Sequence, residues 1–425
     1  VFQLGLLLFV VSCVFIGLSS SGGAVIAGRF VQGAAGATIL ACGLSLLSVA
    51  NSGQEQLRAV SLWGAAAAVG AAAGPLLGGV LVEVTGWQGL FWVGAAIAAV
   101  CMVLTWKTVT ESKDDNRPRD IDFAGSALIA LTLGPLILAL SKGSAWGWVS
   151  PATIGCLAVG VAAGFAFVVV EKRVAVPMLD LVLLRNRVLV GSTVAILIGA
   201  GTINGLMYLV SLYFQDPATL GFSPLQAGLA TLPATMGLVA VAPLVPRLAK
   251  RLGGRQVIGI GFLVTAIGFA AVGLVESSWA YSAFVLPLVA IAVGMGLSNG
   301  PSSSASTACV PAEQVGSASG VSNMARYVGA AVATALAATI YGSVIGDRTA
   351  QGASQADALA SGLGAAAWVM AAFSVAGVVM AVVMGRHPAA TGTLDDSAAA
   401  AAAHTHTLPT SATARTAPPG DAVDE

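Results

Sequence analysis

Apolar residues fall into twelve long runs along the chain, and short polar segments separate these runs. Each run has close to the roughly 20 residues that an α-helix needs to cross the hydrocarbon core of a bilayer. The strands of a membrane barrel would instead alternate over about 10 residues, a pattern that this sequence lacks. The runs therefore predict an all-α integral membrane protein with about twelve transmembrane helices. They lie at 2–20, 24–49, 58–83, 89–106, 122–141, 151–170, 188–214, 224–246, 255–275, 280–300, 316–345 and 363–384.

The composition agrees with a chain that is surrounded by lipid. Hydrophobic residues make up 57% of the chain and charged residues 9%, and the mean hydropathy is +0.89. A soluble domain carries about 25% charged residues, so this composition excludes a soluble fold. The formal net charge is zero, which argues against a nucleic-acid partner. The cysteines are scattered singly and the histidines all follow the last run, so we expect no metal site.

Lys and Arg residues are distributed unevenly between the two sides of the predicted bundle. One set of loops and helix ends carries fourteen of them, whereas the opposite set carries only Lys142 and Arg348. Because cytoplasmic loops are enriched in Lys and Arg, the first set is predicted to be cytoplasmic. The first run then leads outward, and the tail at 386–425 lies in the cytoplasm. This tail is rich in Ala, Thr and Pro and is predicted to be disordered.

The longest cytoplasmic segments between runs bracket a pair of helices. Four runs precede this pair and six follow it. We therefore predict a four-helix half-bundle at 1–106, a linker with two additional transmembrane helices at 107–187, and a six-helix half-bundle at 188–385. Many secondary transporters consist of two comparable halves. Since the first half is two helices shorter than the second and the chain opens inside a run without Met, we expect two N-terminal helices to be missing.

The third run, which contains GAAAAVGAAAGPLLGG, is rich in residues that destabilise ordinary helices. Gly70, Gly74 and Gly78 are spaced four apart and share one helical face. Small residues at this spacing allow two membrane helices to approach closely, and Pro75 permits a bend. A tight helix contact without further function is the simpler interpretation. The complete string, with Gly-Pro and the final Gly78-Gly79, is a more specific signal than the GxxxG spacing alone.

Two strings of the sequence resemble signatures of one family. GxxxGPxxGG on an outward-running helix resembles the antiporter signature of the major facilitator superfamily. On the preceding helix, GRFVQGAAGA resembles its RxxQGxxxA signature, with Arg29, Gln32 and Gly33 in place. The additional helix pair resembles the fourteen-helix drug:proton antiporters of the EmrB/QacA type. This resemblance covers nearly all of residues 1–385 and implies the major facilitator fold, with both motifs acting in proton coupling and conformational change.

Arg29 lies about five residues inside the second run, where burial of an Arg costs about 2.5–3.5 kcal/mol on insertion scales. The functional interpretation is a fixed positive charge beside a proton path. The alternative is that Arg29 extends to the outer interface of the membrane. The candidate proton-carrying acids are Glu83 and Asp216, both near outer helix ends, whereas the resemblance implies an acid on a first helix that this chain lacks.

The seventh run carries a stripe of polar and aromatic residues. Asn204, Tyr208, Ser211 and Gln215 have offsets of 0, 4, 7 and 11, so they share one helical face. Such a face is expected to line a cavity that binds substrate. Hydrogen bonding between helices is the alternative, at about 0.6–2 kcal/mol for each pair.

The eleventh run contains Asn323 and Arg326, which we also assign to the substrate cavity. Arg326 is a second cation inside a membrane run, with a packing anchor as the alternative. The basic loop PRLAKRLGGR at 246–255 resembles the second-half loop signature of the superfamily but has no Asp. Its basic residues are equally explained by the predicted cytoplasmic location.

A secondary transporter is the function that these observations favour. The sequence has no Gly-Lys pair for an ATP-binding Walker A loop, and no histidine in a membrane run for enzyme chemistry. We expect proton-coupled export of drugs or antibiotics across the cytoplasmic membrane by alternating access. The alternatives are export of one dedicated metabolite and a non-transporting membrane protein. The expected partners are a small amphipathic substrate and the lipid bilayer, without ATP, nucleic acid or a bound cofactor, and the chain is expected to act as a monomer.

Overall fold

The computed structural model describes residues 1–50, 53–109, 111, 122–174, 183–310 and 314–384. The predicted tail at 386–425 lies outside this part of the chain, as do parts of the loops at 107–122 and 171–187. The division into half-bundles and linker therefore stays a prediction at its boundaries.

The described residues are almost entirely helical. Two short 3-10 turns, Leu183–Arg185 and Ala242–Leu244, accompany fourteen α-helices. The helices are α1 (Phe2–Gly17), α2 (Gly22–Ala50), α3 (Gly53–Thr85), α4 (Trp87–Thr108), α5 (Phe123–Trp146), α6 (Pro151–Glu171), α7 (Arg187–Gln215), α8 (Pro224–Ala230), α9 (Leu232–Val241), α10 (Val245–Leu252), α11 (Gly254–Val272), α12 (Tyr281–Ala308), α13 (Val315–Ala350) and α14 (Gln355–Val383).

The helices match the predicted membrane spans. Within the described ranges, ten stretches are long and apolar enough to cross a bilayer, and Phe2–Gly17 and Ala73–Thr85 are shorter apolar helices. One of the ten, Pro224–Leu252, consists of α8, α9 and α10 together. The predicted all-α membrane fold is therefore confirmed.

Polar residues begin several of these helices. A side-chain oxygen placed just before the first turn accepts a hydrogen bond from an N–H group that has no partner inside the helix. Asp122, Ser150, Asn186, Ser223 and Ser354 act in this way. Gly253, with φ of 88°, forms the turn between α10 and α11 in a conformation that favours glycine. The ends of the helices are thus set by local chemistry, and their apolar lengths by the membrane.

The span of α8 to α10 is interrupted twice. α8 ends before Thr231, and α9 starts at the next residue with Pro233 in its first turn. The 3-10 turn at Ala242–Leu244 then separates α9 from α10. Because proline lacks an N–H group, each interruption leaves carbonyl groups without their usual helical partners and makes bending easier.

Glycines bring α7 and α13 into close contact. A Cβ atom built on Gly201 would lie 2.8 Å from the carbonyl oxygen of Gly329, and one built on Gly329 would overlap the carbonyl of Leu197. Close approach through small residues is the usual basis of helix association in lipid. Near the predicted outer end, Phe214 and Phe284 are fully buried with ring centroids 5.2 Å apart. These contacts fix the orientation of α7, and therefore of the polar stripe that it carries.

The pair α5 and α6 packs against α13. Thr339 on α13 donates a hydrogen bond of 2.8 Å to the carbonyl oxygen of Leu140 on α5. Phe167 on α6 and Val321 on α13 belong to one buried apolar cluster. Among the first four helices, α1 packs against both α2 and α4. The α3 helix is the main contact between these four helices and the second half of the chain, through α8 and α9.

Candidate functional site

The contact between α3 and α8 is made by backbone atoms. A Cβ atom built on Gly79 would lie 2.6 Å from the carbonyl oxygen of Pro224. Conversely, a Cβ atom built on Gly228 would lie 2.5 Å from the carbonyl oxygen of Pro75. Real Cβ atoms do not approach an oxygen this closely, so both positions require glycine. The two helices therefore touch through two reciprocal glycine–carbonyl contacts.

The other glycines of the motif lie on a different face of α3. Within the described residues, no heavy atom beyond the helix's own backbone lies within 4 Å of a Cβ atom built on Gly70, Gly74 or Gly78. Pro75 and Gly79 are four residues apart, and their face is rotated by about 100° from that of Gly74 and Gly78. The sequence predicted a close helix contact on the face of Gly70, Gly74 and Gly78. In this structure, Gly79 makes the close contact instead.

Glu83 extends this contact toward the predicted outer end. Its Oε2 atom accepts a hydrogen bond of 2.9 Å from the hydroxyl group of Ser223 and one of 3.2 Å from the N–H group of Leu225. Ser223 also begins α8 through a capping box with Gln226. A carboxylate on α3 is therefore tied to the start of α8 by two charge-assisted hydrogen bonds.

Asp216, the second acid that the sequence singled out, stabilises a turn. It directly follows α7, and its Oδ1 atom accepts a hydrogen bond of 2.9 Å from the N–H group of Ala218. This geometry is that of an Asx turn. Among the described residues, its hydrogen bonds are local, whereas those of Glu83 join distant helices.

Arg29 and Gln32 form a hydrogen-bonded chain that connects α2 to α1. The guanidinium of Arg29 donates to Oε1 of Gln32 at 2.7 Å, and Nε2 of Gln32 donates to the sulfur of Cys13 at 2.9 Å. Gln32 is 8% exposed and Cys13 is 1% exposed. The amide of Gln32 is therefore held between a cation and a buried thiol, which fixes its orientation.

A cavity of about 450 Å³ lies beside this chain of hydrogen bonds. Its walls come from α1, α2 and α4, and the guanidinium carbon of Arg29 is 6.0 Å from the ring centroid of Phe91. Arg29 itself is exposed, as is Gly33. Within the described ranges, no carboxylate oxygen comes within 4.0 Å of the Arg29 guanidinium. The positive charge thus faces a mostly apolar cavity. That cavity is lined by Phe9, Cys13, Val25, Arg29, Gln32, Trp87, Leu90, Phe91 and Gly94.

The polar stripe of α7 lies on an open face of the helix. Asn204, Tyr208 and Ser211 are exposed, and 41% of the Tyr208 surface is accessible. Asn204 donates to the carbonyl oxygen of Ala200 at 2.8 Å, and Gln215 donates to the hydroxyl of Ser211 at 2.8 Å. These hydrogen bonds remain within α7. The stripe therefore presents these side chains outward from α7.

Arg326 on α13 is joined to α12. Its guanidinium donates to Oδ1 of Asn299 at 2.8 Å and to the hydroxyl of Ser303 at 3.0 Å. Asn323, one turn earlier on α13, is exposed. The sequence identified Arg326 and Asn323 but not Asn299 or Ser303. The string NGPSSS at 299–304 could have indicated them, because it concentrates polar residues inside an otherwise apolar run.

Metal chemistry finds no support in the described part of the chain. Across those residues, no group of three or more His, Cys, Asp or Glu side chains is placed to hold an ion. The polar groups described above are suited to binding and to conformational change.

A model of one large family matches the chain. The family is described as the Major Facilitator Superfamily, and the match covers residues 1–334. The matched residues thus include α1 to α12, the residues that form the α3–α8 contact, and Asn323 and Arg326 on α13.

Curated relatives are named for resistance and export. The tetracenomycin C resistance and export protein of Streptomyces glaucescens is 28% identical over 346 residues, which cover 81% of this chain and 64% of that protein. The multidrug resistance protein Stp of Mycobacterium tuberculosis is 30% identical over 347 residues, which cover 80% of this chain and 63% of that protein. The chain therefore spans less than two thirds of the length of these relatives.

Solved structures share the fold. An auto-inhibited peptide transporter of the POT family superposes with a TM-score of 0.62 at 15% identity, over 92% of this chain and 84% of that one. At this identity, the likeness concerns architecture alone.

Proposed function

Because the chain belongs to the Major Facilitator Superfamily, we propose that it is a proton-coupled secondary transporter that exports drugs or antibiotics across the cytoplasmic membrane by alternating access. The chain is a multi-pass membrane protein, and the names of its relatives support resistance and export. The observation that carries the proposal is the reciprocal glycine–carbonyl contact between α3 and α8. It joins the first four helices to the second half by a contact that can form and separate without rearranging side chains.

The proposed cycle uses this contact as the outer seal. The distribution of Lys and Arg predicts that Gly79, Glu83 and Ser223 lie near the outer surface. While α3 and α8 touch, substrate cannot leave outward. When they separate, the interruptions at Thr231 and at Ala242–Leu244 absorb the bending of the second helix. In this proposal the C-terminal tail lies in the cytoplasm throughout the cycle, and the protein acts as a monomer.

We place the chain in the fourteen-helix branch because of α5 and α6. This pair lies between the two groups of helices in the chain and packs against α13 at the periphery of the second group. Because this pair is peripheral, we propose that the other helices form the transport path. The α7 stripe of Asn204, Tyr208, Ser211 and Gln215 and the α13 pair Asn323 and Arg326 would line the cavity for an amphipathic substrate.

Energy is proposed to come from the proton gradient, without a bound cofactor. Arg29 and Gln32, held by their hydrogen-bonded chain to Cys13, provide a fixed positive charge in the first half. A fixed cation attracts an ionised carboxylate more strongly than a protonated one. Proton binding to such a carboxylate would therefore change the relative free energies of the two conformations of the transporter. The open space beside Gly70, Gly74, Gly78 and Gly33 in the described structure is larger than a methyl group and would accommodate the accompanying movement of α3 and α2.

Everted membrane vesicles test this function. We expect vesicles that contain the protein to accumulate a fluorescent drug when respiration acidifies their interior, and to release it when nigericin collapses the pH gradient. Vesicles without the protein are the control. Accumulation that requires ATP while the gradient is collapsed would overturn the proposed energy source, and the absence of accumulation for every drug would overturn multidrug export.

Export of one dedicated compound is the second candidate. It is favoured by the relative whose name specifies a single antibiotic, tetracenomycin C. The two candidates differ in the breadth of a susceptibility panel. Resistance to several unrelated drug classes supports multidrug export, whereas protection against one compound supports the dedicated exporter.

The hydrogen bonds of Glu83 give a separate prediction for the outer seal. Glu83→Gln removes the charge that strengthens both bonds to α8, so the seal should open more often. Because Glu83 is exposed, we expect an effect of about 0.5–1 kcal/mol, or a two- to fivefold larger open population. Spin labels at the exposed positions Val84 and Leu229 would report that population as a longer distance.

A double-mutant cycle separates this effect from general destabilisation. Ser223→Ala should reproduce part of the Glu83→Gln effect, and the double variant should add little to either. Glu55→Gln, at the opposite end of the same helix, is the matched control. Strictly additive effects of Glu83→Gln and Ser223→Ala would show that the two groups act independently.

A further inference from the structure

Arg326 is a charged side chain whose known partners are all neutral. It is half-buried in α13, and the groups that it contacts are the amide oxygen of Asn299 and the hydroxyl of Ser303. A guanidinium has five N–H donors in a planar fork. These two hydrogen bonds use one N–H group on each of the two terminal nitrogens and leave the other N–H donors for a ligand.

The charge of Arg326 is not balanced within the described residues. Among them, no carboxylate oxygen lies within 4.0 Å of its guanidinium. Hydrogen bonds to an amide and a hydroxyl satisfy donors, but they do not cancel a net positive charge in a medium of low dielectric constant. Charged residues inside membrane spans are costly, and they pair with one another or with backbone carbonyl groups, or face a water-filled cavity. The site around Arg326 therefore favours a negatively charged occupant.

Two buried hydroxyl groups lie close in sequence to Asn299 and Arg326 on their own helices. Ser302 is 1% exposed and Ser322 is 6% exposed, and in the described part of the chain their hydroxyl oxygens have no hydrogen-bond partner. Ser322 precedes Arg326 by one helical turn, and Ser302 follows Asn299 by three residues, so each is adjacent to a member of the pair on its own helix. A buried hydroxyl without a partner is costly, so both groups remain available to hydrogen-bond with a ligand.

Arg326 and its neighbours can be reached from outside the contact between α12 and α13. Gly320, Asn323 and Tyr327 on α13 are exposed, as are Gly300 and Ser304 on α12. Arg326 therefore lies at the boundary between a packed interface and an open surface. Such a position allows a ligand to approach while the guanidinium remains oriented by Asn299 and Ser303.

We propose that Arg326, Asn299, Ser302, Ser303 and Ser322 form an anion subsite that binds the carboxylate of an acidic amphipathic substrate. The carboxylate would take two parallel N–H donors of the guanidinium, which is the preferred geometry for this pair. The apolar part of the substrate would extend along the open faces of α12 and α13. This inference rests on the proposed export function and narrows its substrate class to compounds with an ionised acid.

Binding to the purified protein tests the subsite without any gradient. The probe is nalidixic acid, whose carboxylate is ionised at slightly alkaline pH, and the matched probe is its primary amide. We expect the wild-type protein to bind the acid at least about tenfold more tightly than the amide, as a charged hydrogen-bonded contact predicts. Equal affinity for the two compounds, or no binding of the acid, would overturn the proposal.

Variants then assign the charge preference to this residue. Arg326→Gln should weaken binding of the acid about 10- to 100-fold and leave binding of the amide unchanged, while Arg326→Lys should restore part of the loss. Arg348→Gln, an exposed position on the same helix, is the matched control. Equal losses for acid and amide in Arg326→Gln would show a structural role instead. If Arg326→Gln fails to fold, a lower acid-to-amide affinity ratio in Arg326→Lys than in the wild type still assigns the preference to this residue, and an unchanged ratio would overturn the assignment.

Other anions distinguish the possible sources of the negative charge. Competition by inorganic phosphate, or by phosphatidylglycerol relative to phosphatidylcholine in nanodiscs, should be weak if the subsite is built for a substrate carboxylate. Complete displacement of nalidixic acid by phosphatidylglycerol would overturn the substrate assignment in favour of a lipid headgroup. Charge-selective binding without transport in vesicles would preserve the subsite and reject the export function, so the two failures can be separated.

Discussion

Gly79→Ala should abolish most of the transport activity, whereas Gly78→Ala should leave it close to the wild-type rate. The added methyl group at residue 79 would lie 2.6 Å from the carbonyl oxygen of Pro224, while the one at residue 78 meets no other helix within 4 Å in the described structure. Overpacking costs about 1–3 kcal/mol, and a bias of this size changes a conformational population roughly 5- to 150-fold. The two substitutions are chemically identical and adjacent, so the difference between them reports the α3–α8 contact.

Efflux rates per molecule of protein in the membrane provide the measurement. Gly228→Ala should match Gly79→Ala, since a methyl group there would lie 2.5 Å from the carbonyl oxygen of Pro75. Gly74→Ala is a second control, at a position that is open in the described structure. If Gly79→Ala transports normally, or if Gly78→Ala is equally impaired, the outer seal does not depend on this backbone contact.

Arg29→Ala should abolish drug accumulation against a gradient, and Arg29→Lys should retain part of it. The proposed role requires a positive charge beside Gln32, and Lys preserves the charge without the planar fork that now donates to Oε1 of Gln32 at 2.7 Å. We expect a loss of at least about tenfold in the steady-state accumulation ratio, which corresponds to about 1.4 kcal/mol of lost coupling free energy.

Exchange of labelled for unlabelled drug at equal concentrations separates coupling from general damage. An uncoupled Arg29→Ala protein should still exchange drug, because exchange requires alternating access but no net proton movement. Arg251→Ala, an exposed cation on the predicted cytoplasmic side, should affect neither assay. Full accumulation in Arg29→Ala would assign Arg29 to the membrane interface, and parallel loss of accumulation and exchange would indicate a structural role.

The sequence was sufficient to predict the membrane helices, because length and hydropathy directly report the thickness of the bilayer. It also predicted the stripe on α7. Helical periodicity places Asn204, Tyr208 and Ser211 together, and the structure leaves all three exposed on α7. Both predictions depend on properties that a single helix has by itself. The cavity role of the stripe stays a prediction.

Contacts between helices could not be predicted in the same way. Periodicity identified the face of Gly70, Gly74 and Gly78 on α3, but only the position of α8 decides that Gly79, and not Gly74, makes the contact. Likewise, the bond of Gln32 to Cys13 and that of Arg326 to Asn299 join separate helices. Which polar residues pair across an interface depends on the rotation and depth of each helix, and these are set by packing throughout the bundle.

The reciprocal contact between α3 and α8 also bears on how the protein can evolve. Its closest atoms are carbonyl oxygens, and the partners that they require are glycines, so closure depends little on the chemistry of neighbouring side chains. The residues proposed to meet substrate are carried by other helices, α7, α12 and α13. In the proposed exporter, selection for resistance to a new compound can therefore alter the recognition surface by point mutation while the seal is inherited unchanged, so that substrate range diverges faster than the mechanism of closure.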